Sequence, residues 1–187
     1  MHIIMVKYIH VKEDSMEKFI PDMYQQSIYS INYKKLKKRG IKCLLFDLDN
    51  TVASYAEDTP SQDVKELFHY LSNDFKVIIM SNSHKKRLRP FKEILNVDVA
   101  YSSKKPLKGK YKKIMELYGF APEQMAAIGD QIMTDVYGAN RIGALSIFIN
   151  SIGTTEPIWT KFNRFFERRI LKKLHKKGIY TKGVYYE

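Results

Sequence analysis

Apolar residues in this chain alternate between short continuous runs and longer segments in which they recur every three or four positions. The short runs are too brief for helices and predict strands that are buried on both faces. The segments with helical spacing predict helices that pack one side on a sheet. The predicted strands cover residues 41–46, 75–80, 97–101, 125–128 and 145–149. The predicted helices cover residues 33–39, 59–72, 84–95, 108–118 and 134–141.

Strands that alternate with helices predict an α/β fold, in which right-handed crossovers place helices on both faces of a mainly parallel sheet. This is a three-layer, Rossmann-like arrangement. The segment after Phe19 is predicted to be helical as well, because Pro21 suits the first turn of a helix. Its apolar positions at helical spacing are Ile20, Met23, Tyr24, Ile28 and Ile31. Residues 1–18 are expected to be an N-terminal extension.

The residues that end the predicted strands are polar, and several of them carry carboxylates. Asp47 and Asp49 occupy alternate positions after the first strand, so their side chains point the same way on an extended chain. The carboxyl ends of parallel strands meet at one edge of the sheet, where open α/β sheets bind ligands. Like charges held this close repel and require a cation or a proton to compensate them. The other polar residues at strand ends are Ser81, Asn82, Asp130 and Asp135.

Three carboxylates, a hydroxyl and an ammonium form a chemically recognisable set at this edge. They belong to Asp47, Asp49, Asp130, Ser81 and Lys105. Oxygen ligands without histidine or thiolate favour a hard cation, and Mg²⁺ fits best. A metal, a lysine and a hydroxyl together suit a phosphoryl group, whose developing charge they stabilise. Taken singly, Ser81 is also typical of a turn, Lys105 of a surface charge and Asp135 of a helix cap.

Four short motifs, in this order, resemble motifs I to IV of the haloacid-dehalogenase (HAD) superfamily. They are Asp47-Leu48-Asp49-Asn50-Thr51, Ser81-Asn82, Lys105-Pro106 and Gly129-Asp130-Gln131 through Thr134-Asp135. The short form of the first motif resembles subfamily IIIA. The flanking sequences, among them residues 19–21, 36–42 and 163–170, resemble the YqeG family, which is related to phosphatases of phosphatidylglycerophosphate. The resemblance covers about residues 19–178.

The resemblance implies a catalytic or binding role for five of the motif residues. Asp47 would be the nucleophile that forms an aspartyl-phosphate, and Asp49 would be the general acid and base. Ser81, helped by Asn82, would hydrogen-bond the phosphoryl oxygens. Lys105 would neutralise their charge.

The resemblance also implies a Mg²⁺ site. Asp47, Asp130 and the backbone carbonyl of Asp49 would bind the ion. Thr51 would support the site, and Asp135 would add acidic support unless it only caps the helix that follows. The phosphatase core is expected to span residues 19–152.

The sequence has no room for a cap domain, which some HAD relatives insert after motif I or between motifs II and III. Residues 53–59 separate motif I from the next predicted helix, and only a helix and a short strand fit between Ser81 and Lys105. The resemblance therefore implies a capless core. An uncovered site suits a large substrate, such as a lipid headgroup, a protein or a nucleic-acid end, since small metabolites usually benefit from a lid that excludes water.

Residues 153–178 predict a basic amphipathic helix, and residues 179–187 a short tail. The apolar positions of the helix are Trp159, Phe162, Phe166, Ile170 and Leu174, and its basic positions include Lys161, Arg164, Arg168, Lys172 and Lys173. This pattern is typical of a helix in a membrane interface and predicts peripheral contact through residues 157–177. Docking of the apolar face on the core is an equal alternative. One helix can also do both, with its apolar side docked on the core and its basic side turned to lipid. A nucleic-acid surface is the third interpretation.

The net charge of +12 predicts attraction to nucleic acid, acidic lipid headgroups or phosphorylated substrates. Cys43, the one cysteine, cannot form an internal disulfide, which suits a reducing compartment. No stretch approaches the roughly 20 apolar residues of a membrane span, and no signal peptide is recognisable. A cytoplasmic protein is expected, with peripheral contact to the inner membrane face as an additional expectation. No obligate protein partner is inferred.

These patterns and the resemblance predict a Mg²⁺-dependent phosphomonoester hydrolase that acts through an aspartyl-phosphate. The expected substrate is phosphatidylglycerophosphate at the membrane surface. Two alternatives are open at this point: a phosphatase of nucleotides or nucleic-acid ends, and a non-catalytic interaction protein on a HAD scaffold. The intact set of carboxylates with Lys105 argues against the interaction protein, because a site without a catalytic function has no physical reason to hold carboxylates that repel one another close together.

Overall fold

The computed structural model describes residues 16–153 and 158–187, with the backbone alone for residues 158–162. Its strands are β1 Met23–Gln25, β2 Cys43–Phe46, β3 Lys76–Met80, β4 Asp98–Ala100, β5 Met125–Gly129 and β6 Leu145–Ile149. Among the described residues these strands form one sheet with the order β1-β6-β5-β2-β3-β4. Each of the pairings between these strands is parallel.

Most helices of the described residues lie where the apolar spacing predicts them. They are α1 Tyr33–Lys38, α2 Gln62–Ser72, α3 Lys85–Leu95, α4 Gly109–Tyr118, α5 Tyr137–Ile142 and α6 Ile158–Lys176. Local sequence sets several of their ends. The side chain of Ser61 caps α2 by accepting a hydrogen bond from the N–H of Val64 at 3.3 Å. Gly119 ends α4 in the left-handed conformation, at φ +69°, which a glycine adopts without strain.

Side chains alternate across the sheet, so each central strand contributes to two cores. In β2, Leu44 and Phe46 pack against α1, α2 and α3, whereas Cys43 and Leu45 pack against α4 and α5. All of these side chains are buried, which explains why the strand is a continuous apolar run. The sheet is covered on both faces, and the predicted three-layer α/β fold is confirmed.

The helix predicted after Phe19 is wrong. Met23–Gln25 is instead the edge strand β1, which pairs with β6, and Ile28–Ser30 forms a single 3₁₀ turn. The side chain of Ser27 caps this turn by accepting a hydrogen bond from the N–H of Tyr29. Apolar residues spaced by three and four positions fit either a helix or a strand followed by a turn. The open edge of β6 offers hydrogen bonds that favour the strand, and the sequence pattern does not contain this information.

The helix predicted over residues 134–141 is present, but it begins earlier and in a wider form. Residues Ile132–Val136 form a π-helical segment, and α5 continues from it. The N–H of Val136 donates to the carbonyl of Gln131 at 3.3 Å, and the N–H of Tyr137 donates to that of Ile132. Such π-helical turns are rare and often occur at functional sites.

The end of the chain is part of the fold. Tyr186 pairs in antiparallel fashion with Tyr24 of β1 through two backbone hydrogen bonds of 2.9 and 3.0 Å. Leu174 of α6 and Tyr180 are buried in the same apolar cluster as Tyr24 and Phe148. The C-terminal helix therefore docks on the core through one side, as one of the alternatives expected. The predicted helix start at residues 154–157 and most of the N-terminal extension, residues 1–15, lie outside the described residues, and the domain boundaries stay predictions.

The two places where a cap domain would be inserted hold short segments. Residues 50–61 connect β2 to α2, and α3 and β4 fill the sequence between Ser81 and Lys105. Within residues 16–153 and 158–187, no domain lies over the carboxyl edge of the sheet. Among the described residues, no helix combines the length and the apolar character needed to cross a bilayer.

Candidate active site

The first carboxylate of the site follows directly from β2. Asp47 is the residue after the strand, and its N–H still donates to the carbonyl of Ile128 in β5 at 2.8 Å, so its position is set by the sheet. The chain then turns sharply: Asn50 adopts φ +64°, and its N–H donates to the carbonyl of Ala53 at 2.7 Å. This turn holds Asp47 at the floor of a cleft, where only 7% of the residue is exposed.

Lys105 reaches the floor of the cleft from the loop after β4. Its ammonium group donates to Asp47 Oδ1 and to Asp135 Oδ1, each at 2.6 Å, and its side chain is 3% exposed. Asn82 fixes the loop through both ends of its amide. The N–H of Lys105 donates to Asn82 Oδ1 at 2.7 Å, and Asn82 Nδ2 donates to the carbonyl of Lys105 at 3.2 Å. In this structure the amide of Asn82 is thus engaged in placing the lysine.

Two further carboxylates come from the end of β5 and the π-helical turn. Carboxylate oxygens of Asp47, Asp130 and Asp135 lie within 4.8 Å of one another, and all three residues are buried. The hydroxyl of Thr51 donates to Asp130 Oδ1 at 3.3 Å. Asp135 also accepts a hydrogen bond from the N–H of Gln131, at 3.2 Å, so it caps the turn and joins the cluster at the same time.

Gly129 explains how Asp135 can come so close to β5. A Cβ atom at position 129 would lie 2.3 Å from the carboxyl group of Asp135, a distance that real contacts do not allow. A side chain at this position would push Asp135 away from Lys105. The glycine of the fourth motif is therefore required by the packing of the site.

Burial and nearby carboxylates keep the carboxyl groups of Asp47 and Asp130 from ionising easily. Burial raises the pKa of Asp47, and the charges of Asp135 and Asp130 raise it further, although Lys105 opposes this. Burial also raises the pKa of Asp130, against the opposing charge of Arg164. For Lys105, burial favours the neutral form, but the carboxylates of Asp135 and Asp47 outweigh it and hold the pKa of the lysine above its usual range.

Within the described residues, the buried network contains more carboxyl groups than cations. Its carboxyl groups belong to Asp47, Asp130, Asp135 and Glu167, and its cationic groups to Lys105 and Arg164. When all four carboxyl groups are ionised, a state that a bound cation favours, the surplus of two negative charges matches one divalent cation. The donors are all oxygens, which suits Mg²⁺. The residues present therefore fit the predicted metal, with Asp135 in the cluster beside Asp47 and Asp130.

Asp49 lies apart from this cluster. Its carboxylate accepts a hydrogen bond from the hydroxyl of Ser83 at 2.6 Å and one from Arg87 Nε at 3.0 Å. Arg87 also donates to the backbone carbonyls of Ser54, at 3.1 Å, and Glu57. The resemblance implies that Asp49 would contact the metal through its backbone carbonyl, and this side-chain position is compatible with such a contact.

Arg87 and Ser83 are partners that the sequence interpretation missed. Arg87 lies in the first turn of α3, where the partial positive charge of the helix end disfavours a cation unless a carboxylate is near. A basic residue at that place, on the helix that follows the strand beside β2, is the signal that could have identified it, because β2 ends in Asp47 and Asp49.

The cleft above these residues has a volume of about 380 Å³. Ser81 is buried in its wall, and its Oγ accepts a hydrogen bond from the N–H of Ser83 at 3.1 Å. The structure thus brings Asp47, Asp49, Ser81 and Lys105 to one cleft, while Asp130 lies behind it. The lining residues are Asp47, Asp49, Asn50, Tyr55, Ser81, Asn82, Ser83, His84, Lys105, Gln131, Thr134 and Asn163. The roles of these residues stay predictions.

One residue of the predicted basic face of α6 points inward. Arg164 donates to the backbone carbonyl of Asp130 at 2.7 Å and forms an ion pair with its carboxylate. Glu167, one turn later, is 3% exposed and accepts hydrogen bonds from Arg164 Nη1 at 3.0 Å and from the N–H of Ile132 at 3.2 Å. The assignment of Arg164 to the outer face is therefore wrong, because a helix wheel does not show where the buried carboxylate is.

The apolar face predicted for α6 is only partly buried. Leu174 is fully buried and Ile170 packs beside it, but Phe166 is 39% exposed and its neighbour Phe165 is 47% exposed. The side chains of Trp159 and Phe162 lie outside the described residues. The helix therefore presents both a docked side and an exposed aromatic pair.

Comparison with known proteins identifies the family. The sequence profile of the family described as mitochondrial PGP phosphatase matches residues 9–153. The chain belongs to this family. The resemblance to the HAD superfamily and to its YqeG-like branch is confirmed, as is the expected enzyme class, a HAD-type phosphatase.

Two curated relatives and one solved structure are similar over most of the chain. The chain is 34% identical to the probable phosphatase YqeG of Bacillus subtilis over 161 residues, which cover 86% of this chain and 94% of the relative. It is 24% identical to the chloroplastic and mitochondrial phosphatidylglycerophosphate phosphatase 1 of Arabidopsis thaliana, covering 86% of this chain and 49% of that protein, about half its length. A predicted HAD-like hydrolase from Porphyromonas gingivalis shares the fold at 14% identity, with a TM-score of 0.51 over 67% of this chain and 98% of its own.

Proposed function

We propose that this phosphatase hydrolyses the phosphomonoester of phosphatidylglycerophosphate at an anionic membrane surface, with Mg²⁺ as cofactor and an aspartyl-phosphate as intermediate. The observation that carries the proposal is the buried pair of Asp47 and Lys105 at the floor of an uncapped cleft, with Asp49 on its wall. A nucleophile, a cation and a proton carrier are the three groups that this reaction needs.

In the first step, a carboxylate oxygen of Asp47 attacks phosphorus, and the bond from phosphorus to the leaving oxygen breaks. Lys105, 2.6 Å from Asp47, balances negative charge in the transferring group, and Ser81 offers its hydroxyl at the cleft wall. Asp49 gives a proton to the leaving oxygen, so the product leaves as an alcohol. A bound Mg²⁺ would supply further charge neutralisation to the phosphoryl oxygens.

In the second step, water attacks the phosphorus of the aspartyl-phosphate. Asp49, now ionised, accepts a proton from the water, the bond from phosphorus to Asp47 breaks, and inorganic phosphate leaves. Both aspartates return to their starting states. Asp49 is suited to this exchange because it lies at the cleft, where its side chain is 15% exposed and reaches solvent.

The lipid substrate is favoured by the family and by the shape of the site. The curated plant relative is a phosphatidylglycerophosphate phosphatase, and the family profile carries the same description. No domain covers the carboxyl edge of the sheet in the described part of the chain, so a headgroup that remains in a bilayer can approach.

The exposed side of α6 supports contact with such a bilayer. Phe165 and Phe166 are exposed on the same helix as Asn163, which lines the cleft. The basic residues exposed beside them are Arg168, Arg169, Lys172 and Lys173. Aromatic residues next to lysine and arginine are typical of a surface that binds anionic lipid.

The test of the substrate is phosphate release from phosphatidylglycerophosphate in anionic liposomes, beside soluble phosphomonoesters and a 5′-phosphorylated oligonucleotide, with and without Mg²⁺. The variants are Asp47→Asn and, as a surface control, Arg89→Met, which changes an exposed arginine of α3. We expect Mg²⁺-dependent release from the lipid by wild type and Arg89→Met, and none by Asp47→Asn. Phosphate release only from soluble esters or the oligonucleotide would support the phosphatase mechanism and refute the lipid substrate.

The membrane surface is tested separately by sedimentation with anionic vesicles. Reversing the charge of Arg168 and Arg169 to glutamate should weaken binding by on the order of 10-fold or more, because each basic residue near such a surface contributes about 1 kcal/mol. The matched control reverses Lys34 and Lys38, which are exposed on α1. Equal loss in both double variants would show that net charge, and not this surface, attracts the protein to lipid.

A further inference from the structure

We infer that Arg164 is a positioning residue for Asp130, and that α6 is therefore a working part of the cation site. The inference rests on the proposed Mg²⁺ site, and it concerns residues of α6 to which neither the motifs nor the family description give a role. Arg164 lies 34 residues after Asp130 in sequence, outside all four motifs.

The first step of the argument is the geometry of the contact. Arg164 Nη1 donates to the backbone carbonyl of Asp130 at 2.7 Å, and Nη2 pairs with Oδ2 of the same residue. One guanidinium group thus holds both the main chain and the side chain of Asp130. A planar group with two donors fixes orientation in this way, whereas the single ammonium of a lysine does not.

The second step is that Arg164 is itself held in place. Its Nη1 also donates to Glu167 Oε1 at 3.0 Å, and the other oxygen of Glu167 accepts a hydrogen bond from the N–H of Ile132 at 3.2 Å. Ile132 begins the π-helical turn that carries Asp135. Arg164 and Glu167 therefore contact both Asp130 and the start of the turn that carries Asp135, and these are two of the three clustered carboxylates.

The third step is what this contact leaves available. Arg164 uses Oδ2 of Asp130, while Oδ1 receives a longer hydrogen bond of 3.3 Å from Thr51. Asp130 keeps an oxygen for the cluster with Asp47 and Asp135, and its carboxyl group cannot rotate without breaking the bonds to Arg164. Interactions of this kind typically change metal affinity or activity by about 10- to 100-fold when they are removed.

The test measures Mg²⁺ binding without substrate, by isothermal titration calorimetry and by the Mg²⁺-induced rise in melting temperature. We expect Arg164→Met to weaken Mg²⁺ binding by about 10-fold or more. Arg164→Lys, which keeps the charge but replaces the planar guanidinium by a single donor nitrogen, should recover part of the loss. Glu167→Gln should show a smaller loss. Arg89→Met, an arginine-to-methionine change on the surface of α3, should bind Mg²⁺ as wild type does.

The melting temperature in EDTA separates positioning from simple docking of α6. If Arg164 only anchors the helix, Arg164→Met lowers the melting temperature but leaves Mg²⁺ affinity unchanged, and the inference is refuted. Tighter Mg²⁺ binding by Arg164→Met would also refute it, since Arg164 would then act as a counter-ion that the metal displaces. If Arg164→Met does not fold, Arg164→Lys and Glu167→Gln decide the question by the same measurements.

The result does not depend on which ester the enzyme cleaves. A protein that binds Mg²⁺ through Asp130 with the help of Arg164 but ignores phosphatidylglycerophosphate would refute the lipid substrate and keep the inference. If the wild-type protein hydrolyses the lipid and Arg164→Met binds Mg²⁺ as tightly as wild type does, the lipid substrate is supported and the inference is refuted.

Discussion

Two aspartates of the site are each held by an arginine from a different helix, and the two pairs differ in burial. The side chain of Asp130 is fully buried and its partner Arg164 is 18% exposed, whereas Asp49 and Arg87 are both 15% exposed. Breaking a buried pair is strongly destabilising because it leaves a charge without solvent or partner, whereas a pair that water reaches can exchange partners more easily.

Under the proposed function, the same chemical pairing would serve two purposes. The pair of Asp130 and Arg164 would keep a carboxylate in one orientation for the proposed cation site. The pair of Asp49 and Arg87 would keep a carboxylate at the cleft, where the proposed mechanism transfers a proton. Four substitutions test the roles proposed for these residues and their neighbours, and they follow in order of the expected loss of activity.

Asp49→Asn should have the largest effect. The asparagine keeps the size of the side chain but cannot transfer a proton, and removal of a general acid and base typically costs about 10²- to 10⁴-fold in kcat. Mg²⁺ affinity should remain within about threefold, because the carboxylate of Asp49 is not in the cluster of Asp47, Asp130 and Asp135. Steady-state kinetics with calorimetry of Mg²⁺ checks both. A variant that binds Mg²⁺ more weakly but keeps its kcat would contradict the role proposed for Asp49.

Lys105→Met should reduce kcat by about 10²- to 10³-fold, the loss expected for one group that stabilises transition-state charge. The variant should also lose about 3–5 kcal/mol of unfolding free energy in EDTA, since two buried carboxyl groups lose their cation. Urea denaturation measures the second effect. Mg²⁺ should restore part of the stability. A variant as stable as wild type would mean that Lys105 does not stabilise the buried carboxyl groups beside it.

Arg87→Met should reduce kcat by about 10-fold, a loss typical for a residue that orients a functional carboxylate. Arg87→Lys should recover part of the loss because it restores a charge beside Asp49. The loop at residues 54–57 also loses two hydrogen bonds, so it should become more accessible to proteolysis. Kinetics and limited proteolysis check the two effects. An unchanged kcat with a loosened loop would limit the function of Arg87 to holding the loop.

Glu167→Gln should change activity least and should act on the pH dependence of stability. Burial raises the pKa of Glu167 to about 7, against the opposing charge of Arg164. In the unfolded chain this carboxyl group loses its proton near pH 4.5, whereas in the folded protein it keeps the proton until about pH 7. Between these two pH values the group lowers the free energy of unfolding by on the order of 1 kcal/mol per pH unit. Glu167→Gln should remove this part of the slope. Urea denaturation in EDTA at several pH values between 5 and 7.5 measures it, with Arg89→Met as control. Parallel curves for wild type and Glu167→Gln would contradict the raised pKa.

The architecture and most of the residues that line the cleft were predictable from sequence alone. The short apolar runs of β2, β3, β5 and β6 favour buried strands, and the polar residues that follow parallel strands gather at the carboxyl edge of the sheet. Local chemistry also accounts for the cap that Ser61 makes on α2 and for the end of α4 at Gly119. These features depend on neighbours in sequence or on a repeating pattern, which the chain displays without its fold.

Which side chains form ion pairs depends on the tertiary structure. Nothing in residues 19–31 shows that β6 offers a free edge, so the strand β1 was predicted as a helix. The spacing of α6 does not show that Arg164 faces a buried carboxylate, nor that Arg87 on α3 faces Asp49. Ion pairs between residues 34 and 38 positions apart in sequence depend on how separate elements pack, and burial then sets their strength. The division of the site into a fixed buried half and an exchangeable half at the cleft is thus a property of the packing.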